Sequence, residues 1–465
     1  LAPFFLAMKR GIDLLLSLEH ADPARVAVHG LSGGGWQTIF ISGLDPRVTL
    51  SNPVAGYSSY RTRLRHFKDL GDSEQTPSDL ATVVDYAHLT AMRAPRPTLL
   101  TFNAKDPCCF EAGYALKPLE DAARPVFELF GRGDALRTHV NHDPGDHNYG
   151  LDNRQALYRI TADVFRVGKP EEIPSDGEVK SADVLEVPVP ADNATFNSLA
   201  RELAKRSPNM PSMPFGGVHE WQSENRTKLR DLLRMKDWTV AAEKLHESPQ
   251  AVYWKVKVGD AFTVPCVEVP GKGSPILLFG EGGRAALAKE AGERSSEGRP
   301  VLVLDPFFYG ESKLGRHDFL LALLAAAVGQ RALGIQASQV AAVARWARER
   351  HGTAVEVDAV GPRAGLAALC AAAVELKAVG ALTLRRPYGS LKELIEQNVG
   401  VNKAPEPFAF GLLESFDVAL LTGLAAPRPV RLRGASERAR QDLAVAKGWY
   451  VSHGADPALL RLDDP

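Results

Sequence analysis

Val26-Ala-Val-His-Gly-Leu-Ser-Gly-Gly-Gly-Trp36 decides how the chain is read. Arg25 to His29 predicts a short buried strand, and Trp36 to Ile41 continues as the start of an apolar helix. Between them, Gly30-Leu31-Ser32-Gly33-Gly34 fits the pattern G-x-S-x-G. Strand, G-x-S-x-G, helix is the context that turns a common five-residue pattern into a nucleophile elbow. Ser32 then sits on a tight, strained turn, so its neighbours two positions away, Gly30 and Gly34, are expected to need their small size. Gly33 is expected to offer its backbone N–H to an oxyanion. The competing reading is a glycine-rich turn with an incidental serine.

Working outward, Phe4 to Leu18 carries apolar residues at helical spacing and is stopped by Ala21-Asp-Pro23. After the elbow helix, Asp45-Pro46 breaks the chain and Arg47 to Pro53 predicts another strand. Tyr57 to Asp85, with its Gly71-to-Pro77 stretch, is polar and irregular and suits a loop or helical excursion. Thr98 to Phe102 predicts a strand led in by Ala94-Pro-Arg-Pro97. Lys117 to Phe130 predicts a helix interrupted near Pro125, Leu136 to Val140 a last strand, and Asn153 to Phe165 a closing helix. Alternating strand and helix argues a parallel sheet with helices on its faces.

Polar groups that act on such sheets gather at the carboxyl ends of strands. Two clusters are expected there: Asn103-Ala-Lys-Asp106 and His142-Asp-Pro-Gly-Asp-His147. A serine hydroxyl is a weak nucleophile until a base takes its proton. His147 is the candidate base and Asp106 the carboxylate that would hold its imidazole in the right tautomer. Alternatives stay open. Asp106 can be a turn residue ahead of Pro107, and His139 or His142 can hold the base role. His139, His142, Asp143, Asp146 and His147 can also be read as metal ligands, but their spacing matches no recognised zinc motif. No metal and no cofactor are expected.

Gly168 to Glu178 is rich in Gly, Pro and acid and predicts a linker, taken as residues 169–180 between domains at 1–168 and 181–465. Beyond it, Phe196 to Arg206 and Glu220 to Leu245 predict helices, separated by the proline-rich Ser207-to-Gly217 stretch. Val252 to Val258 and Phe262 to Val269 alternate as a hairpin about Gly259-Asp260. Pro275 to Phe279 and Val301 to Leu304 are continuously apolar, as buried parallel strands are. Gln336 to Arg348 predicts a helix and Ala354 to Val360 a strand. That strand runs into Gly361-Pro-Arg-Ala-Gly365 and the apolar helix Leu366 to Val374, the elbow pattern again with Arg363 in place of serine.

A second coincidence supports an internal duplication. Ala94-Pro-Arg-Pro97 recurs as Ala426-Pro-Arg-Pro429; Pro95 lies 63 positions after Ser32, and Pro427 lies 64 after Arg363. The second copy reads as catalytically dead. Arginine cannot lose a proton to become a nucleophile, and the position matching Asp106 falls at Arg438 beside Glu437. Asp464-Pro465 resembles Asp143-Pro144, so a match to His147 would lie past the last residue. The second copy is expected to pack on or support the first. It has about 180 residues ahead of its elbow, the first copy only Leu1 to Arg25. The expectation is therefore a fragment whose first sheet lacks its early strands and the loop that supplies a second oxyanion donor.

The chain has 465 residues and a net charge of -1, with 24% charged and 45% hydrophobic residues. That is ordinary for a globular protein and leaves no electrostatic footprint for nucleic acid or anionic membrane. The longest uninterrupted apolar run, Phe319 to Val328, is too short to span a bilayer. Four cysteines, Cys108, Cys109, Cys266 and Cys370, make no disulfide framework, and the adjacent pair reads as packed small hydrophobes. The first residue is Leu1 and no leader is recognisable ahead of the first helix, so localisation is not readable from this end.

At these residues the chain resembles the α/β-hydrolase superfamily, and more closely acetyl xylan esterase-like hydrolases with tandem domains. The matching stretches are Gly30-Leu-Ser-Gly-Gly34, Ala94-Pro-Arg-Pro-Thr98, Asn103-Ala-Lys-Asp-Pro-Cys-Cys-Phe110 and Asp146-His-Asn-Tyr149. In the second copy they are Phe408-Ala-Phe-Gly-Leu-Leu413 and Phe416-Asp-Val-Ala-Leu-Leu421, leading into Ala426-Pro-Arg-Pro429. The order Ser32, Asp106, His147 is that superfamily's order. The resemblance implies tandem doubly wound sheets, hydrolysis of a small-molecule or carbohydrate ester through Ser32, Asp106 and His147, and a secreted or periplasmic setting. A serine peptidase of prolyl-oligopeptidase type shares the elbow and the order. A binding or scaffold protein with a relic site is the reading from another class.

Overall fold

The structure, a computed structural model, describes residues 1–71, 73–207, 217–315 and 318–462. Three stretches singled out above therefore lie wholly or partly outside the described residues: position 72 in the Gly71-to-Pro77 stretch, the proline-rich 208–216, and Asp464-Pro465. The chain divides into two compact units, Leu1–Pro190 and Ala191–Pro465, each with its own sheet.

In the first unit the order is α1 (Ala2–Leu16), β1 (Ala27–Leu31), α2 (Gly33–Leu44), β2 (Leu50–Val54), β3 (Thr98–Asn103), α3 (Ala112–Leu129), β4 (Leu136–Asn141) and α4 (Leu151–Phe165). The four strands lie in the order β1-β2-β3-β4, all parallel. Every residue of β2 and β3 is buried. One face of the sheet is closed by α4, where Ala156, Leu157 and Ile160 pack with Leu50 and Leu99. Ile12 of α1 joins Ile41 of α2 and Val48 in a separate cluster.

Two expectations need correction here. The strand before the elbow is not buried: no residue of β1 is, and Ala27 and His29 are exposed. It is the sheet's edge strand, with β2 on one flank only, which apolar content alone could not reveal. The helix expected from Lys117 starts five residues earlier, at Ala112, and runs unbroken through both Pro118 and Pro125. Its buried stripe of Ala115, Leu116, Leu119, Ala123 and Phe127 holds it against the loss of two backbone donors. The polar Tyr57-to-Asp85 stretch becomes short helical turns that end in the helix Tyr86–Ala91. There the Tyr86 hydroxyl accepts from the Trp36 indole N–H at 3.0 Å.

Among the described residues the second unit holds nine strands: β5 (Val240–Glu247), β6 (Val252–Val258), β7 (Phe262–Val269), β8 (Ile276–Gly280), β9 (Val301–Leu304), β10 (Val355–Val360), β11 (Val379–Arg385), β12 (Val430–Arg433) and β13 (Leu460–Leu462). Their order is β13-β12-β11-β10-β8-β9-β7-β6-β5. From β13 to β9 all pairs are parallel; β9-β7-β6-β5 is antiparallel. The helices used below are α5 (Val218–Leu232), α6 (Arg284–Ser296), α7 (Ala332–His351) and α8 (Pro362–Val374). The hairpin and the buried strands β8 and β9 follow the pattern of the sequence. The long helix expected over Glu220 to Leu245 does not form. It ends at Leu232, and Val240–Glu247 becomes β5, paired antiparallel with β6. Its Ala, Glu, Lys and Leu favour helix locally, but pairing on an existing strand overrides that weak preference.

The last four strands of this sheet repeat the first sheet in order and direction. β10, α8, β11, β12 and β13 follow one another as β1, α2, β2, β3 and β4 do, but Arg363 lies in the first turn of α8 whereas Ser32 precedes α2. Arg96 donates to the carbonyls of Asp45 and Val48 at 3.1 and 3.3 Å, at the end of α2 and the start of the next strand. Arg428 donates to the carbonyls of Glu375 and Val379 at 2.9 and 3.4 Å, the same places after α8. Among the described residues one difference is plain: β10 is flanked by β11 and β8, whereas β1 pairs only with β2. Among the described residues, no single helix is long and apolar enough to cross a membrane.

Candidate active site

Ser32 stands between β1 and α2 with φ 57° and ψ −118°, a conformation costly for a residue with a side chain. It persists because its surroundings hold it. The Ser32 N–H donates to the Val54 carbonyl at 2.9 Å, and the Ser32 carbonyl accepts the Trp36 N–H at 2.9 Å. The turn needs glycine at Gly30, where an added Cβ would lie 2.7 Å from the Gly34 carbonyl carbon. It does not need glycine at Gly34, where a Cβ meets nothing within 4 Å. The demand falls instead on Gly35 and Gly56, whose backbones touch. A Cβ on Gly35 would lie 2.6 Å from the Val54 carbonyl oxygen, and one on Gly56 2.4 Å from the Gly35 carbonyl carbon. The run of three glycines held that signal, but spacing from the serine pointed to the wrong member. Gly33 opens α2, and the N–H groups of a helix's first turn have no acceptor within the helix.

Asp106 follows β3 and His147 follows β4, both at carboxyl ends of the sheet that carries Ser32 at the end of β1. His147 Nδ1 and Asp106 Oδ2 are hydrogen-bonded at 2.8 Å. The aspartate side chain is fully buried, while His147 keeps about a fifth of its side-chain exposure at 21%. Oδ1 of Asp106 accepts the N–H groups of Cys108 and Cys109 at 3.0 and 3.3 Å. Burial alone would raise the Asp106 carboxyl, but the bonds from His147, Cys109 and Cys108 together hold it below its ordinary value. It is therefore ionised at neutral pH and accepts only, so His147 carries its proton on Nδ1 and leaves Nε2 free as a base. Among the described residues, Ser32 and His147 are not hydrogen-bonded to each other; such bonds often tighten only around substrate.

The other candidates are placed elsewhere. His139 Nε2 bonds Asp152 Oδ2 at 2.9 Å, and His142 is exposed. Asp143 and Asp146 are also exposed, so the five-residue metal reading is not assembled. Among the described residues, the one close group of potential ligands is Cys108, Cys109 and His147.

The sequence reading gave no role to several supporting residues, although it quoted Asn103 and Tyr149 within its motifs. Asn103 Nδ2 reaches Asp106 Oδ2 and the Asn148 carbonyl, both at 3.4 Å, and Asn153 Nδ2 donates to Asn103 Oδ1 at 3.0 Å. Lys68 Nζ donates to the Asp106 carbonyl at 3.0 Å. Tyr149, two residues past His147, places its hydroxyl 3.0 Å from His29 Nδ1 on β1. Only the closeness of Tyr149 to His147 in the chain could have flagged it; the rest depend on tertiary contact.

The Gly361-to-Gly365 stretch is filled differently. Arg363 Nε donates to Glu281 Oε2 at 3.0 Å and Nη1 to Glu406 Oε2 at 3.2 Å, with the guanidinium 5.6 Å from the Tyr309 ring centre. Burial alone would lower this guanidinium, but Glu406, Tyr309 and Glu281 hold it above its ordinary value. It is a fixed cation.

A strained serine closing an edge strand, with an aspartate–histidine pair beyond the third and fourth strands of one parallel sheet, has a definite architecture. It is an α/β-hydrolase-like arrangement. No protein-family profile matches the chain, and no curated protein does. Among solved structures it is similar to a provisionally assigned acetyl xylan esterase from Bacteroides fragilis, at 13% identity and TM-score 0.48, covering 59% of this chain and 83% of that one. It is also similar to acetyl xylan esterase 1 from Thermoanaerobacterium sp., at 14% identity and TM-score 0.33, covering 50% and 81%. A third is a glucuronoyl esterase of carbohydrate esterase family 15 from Caldicellulosiruptor kristjansonii, at 15% identity and TM-score 0.37, covering 52% and 77%.

Proposed function

We propose that the first unit is a serine hydrolase of carboxylic esters. The observation that carries this reading is the 2.8 Å bond between buried Asp106 and His147, on the same sheet edge as a serine at φ 57°. Ser32 Oγ attacks the ester carbonyl while His147 Nε2 takes its proton, and the resulting imidazolium faces an ionised Asp106. The developing oxyanion is met by the Gly33 N–H at the positive end of α2. His147 then returns the proton to the leaving alcohol, and water hydrolyses the acyl-enzyme by the same steps in reverse roles. The finer reading, a small acyl group on a carbohydrate, rests on the resemblance carried by Asn103-to-Phe110 and Asp146-to-Tyr149.

The second unit is proposed to be a degenerate copy. The repeated strand order and the matched carbonyl contacts of Arg96 and Arg428 support this, and Arg363 held between Glu281 and Glu406 has no nucleophilic role.

The test is labelling by a fluorophosphonate together with turnover of p-nitrophenyl acetate. Both are expected from the intact protein and neither from Ser32→Ala. Unmodified Ser32 and no ester turnover would sink the reading. Amide turnover exceeding ester turnover would move it to a peptidase.

A further inference from the structure

Asp106, Pro107, Cys108 and Cys109 form a turn in which both cysteine N–H groups point at one carboxylate oxygen. That turn brings the two thiols to the same side: their sulfurs are 3.2 Å apart. His147 is held to the same carboxylate from the other direction. The two Sγ atoms and one ring nitrogen of His147 all lie within 4.8 Å of one another. Cys108 is exposed, His147 half-buried and Cys109 buried, so solvent reaches the group on one side.

Two soft sulfurs and an imidazole are the donor set that thiophilic divalent cations select over hard ones. Tetrahedral coordination at about 2.3 Å sets two sulfurs roughly 3.8 Å apart. The pair must therefore open by about half an ångström, which side-chain rotation at the exposed Cys108 can supply. The adjacent Asp106 carboxylate adds favourable charge. Lys68 is turned to the Asp106 carbonyl and Glu111. None of the proposed catalytic steps uses either thiol.

We propose that Cys108, Cys109 and His147 form a capture site for a thiophilic divalent cation of the Zn2+ class, and that filling it switches the site off. Binding replaces two thiol protons, released to solvent, by two metal–sulfur bonds and takes one lone pair from the His147 ring. No redox partner is needed. An imidazole engaged with a cation cannot accept the serine proton, so acyl transfer stops. Only this second half rests on the serine-hydrolase reading.

The two halves are tested separately. Reduced Ser32→Ala protein is titrated with Co2+ in absorbance. The expected result is a thiolate-to-cobalt charge-transfer band with visible ligand-field bands, saturating at one equivalent. Cys108→Ser, whose side chain is exposed and whose fold is checked by circular dichroism, is expected to weaken binding at least about tenfold. No thiolate band, or the same band and affinity in Cys108→Ser, overturns the site. Zn2+ is then added to the active protein with p-nitrophenyl acetate. Inhibition reversed by a chelator, and reduced about tenfold or more in Cys108→Ser relative to its own metal-free rate, supports the switch. Tight Co2+ binding with full activity at saturating Zn2+ overturns the switch. Tight Co2+ binding in a protein that hydrolyses nothing even without metal supports the capture site while removing the hydrolase reading.

Discussion

The hydroxyl of Tyr149 lies 3.0 Å from Nδ1 of His29, and the two rings meet edge to face at 5.8 Å. The loop carrying His147 is thereby fastened to the strand carrying Ser32, across the width of the sheet. Tyr149→Phe keeps the ring and removes the bond. It is expected to cost about 0.5–1.5 kcal/mol, a melting shift of roughly 2–4 °C per kcal/mol for a unit this size. A positioning role predicts that kcat falls with KM little changed. An equal loss of stability with kcat intact would assign Tyr149 to packing alone.

Asp106→Asn should leave His147 hydrogen-bonded but in the wrong tautomer. Ester turnover is expected to fall by about 10⁴-fold, as for other orienting carboxylates. His139→Gln and His142→Gln are expected to stay within a few-fold of the parent, since one ring serves Asp152 and the other faces solvent. Either matching the loss at His147→Gln would reassign the base.

Neighbouring glycines are expected to respond in opposite directions. Gly34→Ala meets open space inside a helix and should stabilise by about 0.5–1 kcal/mol. Gly35→Ala drives a methyl to 2.6 Å from the Val54 carbonyl oxygen and should destabilise by about 1–3 kcal/mol or more. Urea titration of both reads the sign directly.

Asp106 and His29 are among the groups that tie stability to pH. The Asp106 carboxyl titrates below its ordinary range when folded, so its contribution is fully present above the unfolded value near 4. That contribution is lost as pH falls through the lower folded value. Although His29 as a whole is exposed, partial desolvation of its ring lowers the imidazole. The unfolded chain then binds a proton near pH 6.5 that the folded chain refuses, and stability declines from there downward until the folded value is passed. Melting curves from pH 8 to 4 should show the upper decline in the parent and a smaller one in His29→Gln, because His351 and His453 are lowered as well.

How much the sequence revealed follows from where each signal sits. Thr98–Asn103, Leu136–Asn141, the β6–β7 hairpin and the glycine-rich elbow are punctuated by Pro, Gly or Asp and patterned over several residues, so local reading suffices. Asp106 and His147 were legible because chemistry and strand ends restrict the choice. Val240–Glu247 was not, because its helix-favouring residues become a strand only when β6 lies alongside. The exposure of β1 and the demand on Gly35 rather than Gly34 are properties of neighbours distant in the chain.

Arg93 and Arg96 converge on the end of α2. Arg93 donates to the carbonyls of Ser42 and Val48 at 2.8 and 2.9 Å, and Arg96 to those of Asp45 and Val48. Burial, with Arg96 beside it, pulls the Arg93 guanidinium down to about 9, which leaves it cationic at neutral pH. A helix behaves as a bar with opposite partial charges at its ends. Here two guanidinium groups donate to carbonyls at the negative end, and Gly33 opens the positive end. If the proposed chemistry holds, the field at Gly33 is set partly from the other end of α2, by two arginines.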